Sequence, residues 1–73
     1  MAQEIVEVPI PGKILSVNVS AGDVVEEGAM LCSIESMKME NPILAPVNGK
    51  VIEIKVTSGQ FVRSGDTVAV IDY

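Results

Sequence analysis

Hydrophobic and polar residues alternate in short runs along this chain, and the runs end at turns that contain glycine or proline. Residues 5–9 form a β-rich run that closes at the turn signal of residues 9–12, Pro-Ile-Pro-Gly. Residues 13–19 alternate with period two from Leu15 onward, which puts Leu15, Val17 and Val19 on one face. Short alternating runs between turn signals predict strands rather than helices.

The same pattern continues to the end of the chain. Pro42 has no backbone N–H to donate, so the predicted strand that contains it must lie where that hydrogen bond is not required. Residues 50–56 alternate with Ile52, Ile54 and Val56 on one face, although Val51 breaks the alternation. The other predicted strands are residues 24–25, 30–35, 39–44, 61–62 and 67–71, and the other predicted turns are residues 20–23, 26–28, 45–49, 57–60 and 63–66.

The second half of the chain repeats the first with a constant shift of 37 residues and no gap. The shift relates Gly12 to Gly49, Gly22 to Gly59, Gly28 to Gly65, Pro9 to Pro46, Lys13 to Lys50, Val19 to Val56, Val25 to Val62 and Ile34 to Ile71. Short strands, closely spaced turns and an internal duplication together predict one all-β domain spanning residues 1–73. We expect a flattened β-barrel or sandwich of two antiparallel sheets with approximate twofold symmetry.

Residues 29–40 are the one stretch where a helix competes with this interpretation, because they are rich in alanine, methionine, leucine and glutamate. The duplication decides between the two structures. Residues 66–72, which correspond to residues 29–35, are β-branched and bounded like a strand. We therefore predict a strand at residues 30–35.

Composition narrows the possible classes of function. Ten acidic against five basic side chains give a net charge of -5, which would repel a phosphate backbone, so we do not expect a nucleic-acid partner. A chain of 73 residues leaves no room for a substrate cleft. It also contains no histidine and no group of side chains with metal-ligand spacing, so we expect neither an enzyme nor a metal site.

Cys32 is the only cysteine, so no disulfide can form within the chain. We expect a buried thiol in a protein of a reducing compartment, most simply the cytoplasm. Residues 1–7 have no basic region and no long apolar run, so we expect neither a secretory signal nor a membrane span.

Residues 35–39, Glu-Ser-Met-Lys-Met, lie between the two repeats. Twofold symmetry predicts a turn here, at the end of the domain opposite the chain termini, with Lys38 at its exposed tip. Met37 and Met39 flank this lysine: either another surface recognises them, or they fold down and fill gaps at the edge of the core. Position alone does not give Lys38 a chemical role, because lysines in turns are commonly only solvated charges.

The motif resembles the Glu-Ala-Met-Lys-Met signature of biotinyl carrier domains, in which the lysine is joined to biotin through an amide. Pro11-Gly12, Gly22-Asp23 and Ala45-Pro46 with Gly49 extend the likeness over nearly the whole chain. The chain is thus similar to the carboxyl-terminal domains of biotin carboxyl carrier proteins and to small biotin/lipoyl attachment proteins. Ser36 replaces the commonest alanine, and the "thumb" segment of some acetyl-CoA carboxylase carriers has no counterpart. The resemblance implies a barrel-sandwich hybrid with the lysine in a hairpin turn.

The resemblance also implies the site and its partners. Lys38 would carry covalent biotin attached by a biotin protein ligase, Met37 and Met39 would serve ligase recognition and placement of the biotin ring, and Glu35 would discourage the lipoylating enzyme. Ser36 belongs to the same cofactor-binding motif. In the family, a biotin carboxylase uses ATP and bicarbonate to carboxylate the ring, and a carboxyltransferase passes the carboxyl group to an acceptor. The chain would therefore be a carrier without catalytic residues of its own.

Two alternatives remain open at this point. A lipoyl carrier domain for acyl or aminomethyl transfer would share the fold, the repeat and the lysine position, although lipoyl sites resemble Asp-Lys-Ala more than Met-Lys-Met. A plain interaction module would use the same scaffold with a lysine that is never modified. The mass that Lys38 gains in the presence of a biotin ligase separates the three functions.

Overall fold

The computed structural model describes residues 2–73, so Met1, the first residue of the predicted domain, lies outside the described residues. Within the described residues, eight strands form two four-stranded antiparallel sheets, in the orders β1-β8-β6-β3 and β5-β4-β2-β7. The strands are β1 (Gln3–Glu7), β2 (Gly12–Val17), β3 (Val24–Val25), β4 (Met30–Ser36), β5 (Met39–Leu44), β6 (Gly49–Ile54), β7 (Phe61–Val62) and β8 (Thr67–Asp72). The prediction of an all-β fold with two antiparallel sheets is confirmed. Within residues 2–73 no helix is long and apolar enough to cross a membrane.

The duplication in the sequence relates the two sheets to each other. A shift of 37 residues carries β1 to β5, β2 to β6, β3 to β7 and β4 to β8, so each half of the chain contributes two strands to each sheet. Equivalent hydrogen bonds join the segments that connect the strands, since the Gly65 amide donates to the Val8 carbonyl oxygen at 2.8 Å and the Gly28 amide donates to the Ala45 carbonyl oxygen at 2.8 Å. The two halves therefore interlock.

The core between the sheets is aliphatic, as the near absence of aromatic residues requires. Every strand contributes at least one buried apolar side chain to it, and the removal of these side chains from water is the main favourable contribution to folding. Cys32 lies among them, fully buried, as predicted, and this burial raises the pKa of its thiol. The core includes Val6, Val8, Ile14, Val25, Leu31, Cys32, Ile34, Ile43, Ala45, Val51, Val56, Val62, Val68, Ala69 and Ile71.

Two β-bulges change which residues of β2 and β6 face the core. The register of β2 against β4 shifts between Ile14 and Ser16, and the register of β6 against β8 shifts between Val51 and Glu53. Ile14 and Val51 are fully buried, whereas Leu15 is 37% exposed. The prediction that put Leu15 on one face with Val17 was wrong, because a bulge adds a residue and interrupts the alternation.

The residues rich in helix formers do form a strand. β4 runs from Met30 to Ser36 in the middle of its sheet, hydrogen-bonded to both β2 and β5, so tertiary pairing overrides helix propensity. Pro42 lies on β5, an edge strand of that sheet, where its missing N–H costs no ladder bond. β1 runs from Gln3 to Glu7, so it starts and ends two residues earlier than the predicted strand of residues 5–9.

The chain ends are the symmetry counterpart of the β4–β5 hairpin. Ala2 and Tyr73 exchange two backbone hydrogen bonds of 2.8 Å, and the 37-residue shift relates this pair to Met39 and Ser36, the last pair of the hairpin ladder. The approximate twofold axis therefore exchanges the hairpin tip with the paired chain ends.

Candidate functional site

The hairpin tip is a two-residue turn whose residues are both in the left-handed region. Met37 has a φ of 54° and Lys38 a φ of 65°, and Ser36 pairs with Met39 across the ladder. Positive φ at both loop positions defines a type I′ turn, which favours Asn-Gly because each other L-residue there costs about 1–2 kcal/mol. Nothing in the residue types Met-Lys indicates this conformation, so it was not predicted from the sequence.

The side chains of the tip project into solvent. Met37 is 92% exposed and Met39 is 65% exposed, and Lys38 between them is exposed as well. The position of Lys38 at an exposed tip is as predicted. The alternative in which the methionines fold down to fill gaps at the edge of the core is wrong, because most of each side chain is exposed. Two large apolar side chains thus remain uncovered beside one amine.

The other two residues of the motif anchor the turn to the sheet. Glu35 is exposed and pairs with Glu40, and Ser36 is half-buried at the next position. On the returning strand, the Asn41 side-chain amide donates a hydrogen bond of 3.3 Å to the Met39 carbonyl oxygen. The structure therefore brings all five residues of the motif together at one end of one hairpin.

Gly12 supports the tip in a way that the sequence did not reveal. It was predicted as part of a turn, but it is the first residue of β2, and its α-carbon lies against the Glu35 carbonyl oxygen. A β-carbon at Gly12 would overlap that oxygen, so only glycine lets β2 approach the base of the hairpin this closely. Its counterpart Gly49 lies against the Asp72 carbonyl oxygen in the same way. The occurrence of glycine at this position in both repeats was the sequence signal that could have indicated the close contact.

Exposure alone does not single out Lys38, since Lys13, Lys50 and Lys55 are exposed too. The amine of Lys55 forms an ion pair of 2.9 Å with Glu53, and the amine of Lys13 lies 6.0 Å from the centre of the Phe61 ring. Lys50 lies within β6. Lys38 differs from these three because it lies in a hairpin turn, where its primary amine can be reached from outside the domain. This arrangement fits a group joined to the chain through an amide.

A groove of about 530 Å³ lies beside the tip. The turn forms one wall, and Lys13 and Phe61 form part of the other. Phe61 is the only phenylalanine in the sequence and is 78% exposed on β7, yet no role was predicted for it. The isolated aromatic residue in an otherwise aliphatic sequence was the signal that could have identified it.

Comparison with known families matches nearly the whole chain to one of them. A family model described as "Biotin-requiring enzyme" matches residues 4–71. This range includes both repeats and the five-residue motif between them.

Curated proteins match about half of the chain. The glutaconyl-CoA decarboxylase subunit gamma of Acidaminococcus fermentans is 59% identical over 39 residues, which cover 53% of this chain and 27% of that protein. The methylmalonyl-CoA decarboxylase subunit gamma of Veillonella parvula is 57% identical over 42 residues, 58% of this chain and 33% of that protein. The biotin carboxyl carrier protein of Streptococcus mutans is 54% identical over 37 residues, 51% of this chain and 28% of that protein. The matches thus span a third or less of each of these relatives.

Solved structures match the fold over almost its full length. The urea carboxylase of Kluyveromyces lactis superposes with a TM-score of 0.91 at 35% identity, covering 99% of this chain and 6% of that one. A single-chain, multi-domain long-chain acyl-CoA carboxylase superposes with a TM-score of 0.87 at 29% identity, covering 93% of this chain and 7% of that one. In both cases a small part of a large carboxylase resembles nearly the whole chain.

Proposed function

Since this chain belongs to the biotin/lipoyl attachment family and is a biotin carrier domain, we propose that Lys38 is the residue to which biotin is joined. One observation carries the assignment: Lys38 lies in an exposed two-residue turn between two methionines, whereas Lys13 and Lys50 lie on strands and the Lys55 amine is ion-paired. The resemblance of residues 35–39 to the biotinyl signature supports the same residue.

Attachment requires the Lys38 amine to act as a nucleophile. The neutral Nζ attacks the acyl carbon of biotinyl adenylate held by a biotin protein ligase, an amide bond forms, and the bond from that carbon to the phosphate oxygen breaks to release AMP. The amine proton passes to solvent or to a base of the ligase. The reacting atoms must meet within about 3–3.5 Å in a fixed orientation, so the rate depends on where the tip holds the amine.

The tip residues supply that position. The left-handed conformations of Met37 and Lys38 fix the direction in which the chain turns, and the close contact of Gly12 with Glu35 fixes the base of the hairpin. Met37 and Met39 offer the ligase exposed apolar surface, 92% and 65% of each residue respectively. In this proposal Glu35 and Ser36 complete the recognised motif, with Glu35 acting against the lipoylating enzyme.

The carrier contributes reach and local concentration. When bound, biotin supplies a ring nitrogen that can accept and release a carboxyl group. Lys38 holds this group on a flexible side chain at one end of a rigid scaffold, which replaces free diffusion by a high effective concentration at each site it visits. We propose a biotin carboxylase and a carboxyltransferase as the catalytic partners, because the relatives are subunits or domains of decarboxylases and carboxylases. Both reactions would take place on those partners, in the cytoplasm, and not on this chain.

Expression together with a biotin protein ligase, followed by intact mass measurement, tests the assignment of Lys38. We expect one biotinyl increment in the wild-type chain and none in Lys38→Arg, which keeps the charge but cannot form the amide. Lys50→Arg is the matched control, because Lys50 is exposed but lies on β6, and it should be biotinylated fully. Loss of the increment in Lys50→Arg but not in Lys38→Arg would refute the proposal, and an unmodified wild type would favour the interaction module.

The partners need a separate experiment. The biotinylated chain, immobilised through a tag and not through biotin, is expected to retain a carboxyltransferase from an extract of its own organism. Lys38→Arg carries no biotin and serves as the control for binding that depends on the arm. Incorporation of lipoate in place of biotin in the native host would redirect the function to acyl transfer.

A further inference from the structure

A row of four side chains crosses the sheet directly below the tip. Glu40 on β5 pairs with Glu35 on β4, Glu35 pairs with Lys13 on β2, and Lys13 pairs with Phe61 on β7. Residues that face each other across a ladder project from the same side of the sheet, and all four of these are exposed. The row therefore lies on the outer face, about 7–10 Å along the strands from the turn, since each residue of a strand advances about 3.3 Å.

The duplication supplies an internal reference for this row. The corresponding residues at the other end of the domain are Gln3, Asp72, Lys50 and Val24, and they pair across the other sheet in the same order. The central acid and lysine are of the same type in both rows. The two outer positions differ, because the row at the tip has an aromatic ring and a second carboxylate where the other row has valine and glutamine.

Neither of these two differences adds much to the stability of the domain. Phe61 is 78% exposed, so its ring buries little area, and its contact with the Lys13 amine at 6.0 Å is an exposed cation–π pair, which is the weakest kind. Glu35 and Glu40 are like charges directly opposite each other, an arrangement that destabilises a sheet. Function rather than folding accounts for these two side chains.

The size of a protein interface points to the partner. A specific interface buries about 800 Å² on each protein, and a single large side chain supplies at most about 150–250 Å². The turn residues alone cannot fill such an area, so an enzyme that acts on Lys38 must also contact a surface continuous with the turn. The outer face that carries the row is such a surface, and it holds the exposed ring of Phe61.

We propose that this row, Glu40, Glu35, Lys13 and Phe61, is a docking surface for the ligase that acylates Lys38, and this inference rests on the proposed function. The Phe61 ring enters an apolar pocket of the ligase, and the paired carboxylates of Glu35 and Glu40 face cationic side chains. Cations are expected there because the ligase binds an acyl adenylate, whose phosphate is negative, and because this chain has a net charge of -5. Phe61 is then a specificity-determining residue outside the five-residue motif.

Steady-state biotinylation of the unmodified chain by a purified biotin protein ligase tests the role of the ring. Phe61→Val replaces the ring with valine, the residue at the equivalent position of the other row, Val24. We expect KM for the chain to rise about tenfold with kcat unchanged, as for loss of one interface anchor. Val24→Ala is the matched control, because Val24 is 80% exposed at the equivalent position of the other sheet, and its KM should equal that of the wild type.

The carboxylate pair gives a second test in which stability and recognition change in opposite directions. Glu40→Gln removes a like-charge contact, so we expect a higher urea midpoint together with a KM raised about threefold and a weaker dependence of KM on salt. Gln3→Glu creates the equivalent contact with Asp72 and should lower the urea midpoint without changing KM. A poorer substrate that is also a more stable protein cannot be explained by unfolding.

Intact mass keeps the two proposals apart. If the wild type gains biotin on Lys38 while Phe61→Val and Glu40→Gln keep the wild-type KM, the docking surface is refuted and the attachment site stands. NMR of the biotinylated chain tests whether the biotin ring, rather than the ligase, contacts the row. If biotinylation shifts the Phe61 signals while KM is unchanged in Phe61→Val, the row contacts the biotin ring, and docking of the ligase is again refuted.

Discussion

The carbonyl oxygen of Glu35 lies against the α-carbon of Gly12 so closely that a methyl group at Gly12 would overlap it. The same relationship recurs 37 residues later, where a β-carbon on Gly49 would come within 2.5 Å of the Asp72 carbonyl oxygen. Each contact joins two neighbouring strands just before an end of the domain. One supports the hairpin that holds Lys38, and the other supports the paired chain termini.

Gly12→Ala is therefore expected to destabilise the domain and to move the tip. The added methyl group meets a backbone oxygen within a ladder, which cannot rotate away as a side chain can, so the free energy of unfolding should fall by about 1–3 kcal/mol. Urea denaturation measures the loss. Gly49→Ala should cost a similar amount at the opposite end, so only Gly12→Ala should also slow biotinylation of Lys38 under conditions where both variants are folded. Equal biotinylation rates for the two would show that Gly12 does not position the tip.

Met37→Asn should make the domain more stable. Asparagine tolerates the left-handed conformation that Met37 adopts at a φ of 54°, and the 92% exposure of Met37 means that no packing is lost. We expect the free energy of unfolding to rise by about 0.5–1 kcal/mol in urea denaturation. Met39→Asn is the control, because Met39 lies in strand β5, where asparagine is disfavoured, and its stability should not rise. A decrease for Met37→Asn would mean that the turn is not strained at this position.

Stability should fall with rising pH because of Cys32. Burial raises the pKa of its thiol, so the folded chain keeps a proton that the unfolded chain has half released at the ordinary thiol pKa of about 8.5. Above this pH the unfolded state binds fewer protons, and the free energy of unfolding decreases by up to about 1.4 kcal/mol per pH unit until the folded thiol also ionises. Urea denaturation between pH 7 and pH of about 9.5 should show a steeper decline for the wild type than for Cys32→Ala. Identical slopes would contradict the raised pKa.

Sequence reasoning found the architecture because the duplication restricts it. The 37-residue shift turns the choice between helix and strand at residues 30–35 into a comparison with residues 67–72, whose β-branched residues favour a strand. The same shift implies two equivalent sheets, and it places the motif of residues 35–39 at the counterpart of the chain ends. These conclusions depend on patterns that extend along the whole chain.

The features that sequence reasoning missed depend on single residues in three dimensions. The bulges after Ile14 and Val51 leave an ordinary run of apolar residues in the sequence, so Leu15 was predicted to share a face that it does not share. The left-handed conformation of Met37 has no sequence signal, since neither glycine nor asparagine is present in the turn. Phe61 comes near the motif only because β7 pairs with β2, a contact between distant parts of the chain.

Ser33 is a polar residue whose side chain is buried, and its hydroxyl is hydrogen-bonded to the hydroxyl of Ser16. It is 2% exposed, and its Oγ lies 2.9 Å from the Oγ of Ser16, which faces it across β2 and β4. Ser33→Ala should lower the free energy of unfolding by about 1–2 kcal/mol, because it leaves the half-buried Ser16 hydroxyl without this bond.

Ser16→Ala/Ser33→Ala removes both hydroxyl groups and completes a double-mutant cycle. It should cost less than the sum of the two single variants, with a coupling of about 0.5–1.5 kcal/mol, because no polar atom is then left unpaired. The other sheet already lacks this pair, since the corresponding residues are Glu53 and Val70, which also face each other across a ladder. The fold therefore does not require the hydroxyl pair. Strictly additive losses would show that the two hydroxyl groups do not stabilise each other.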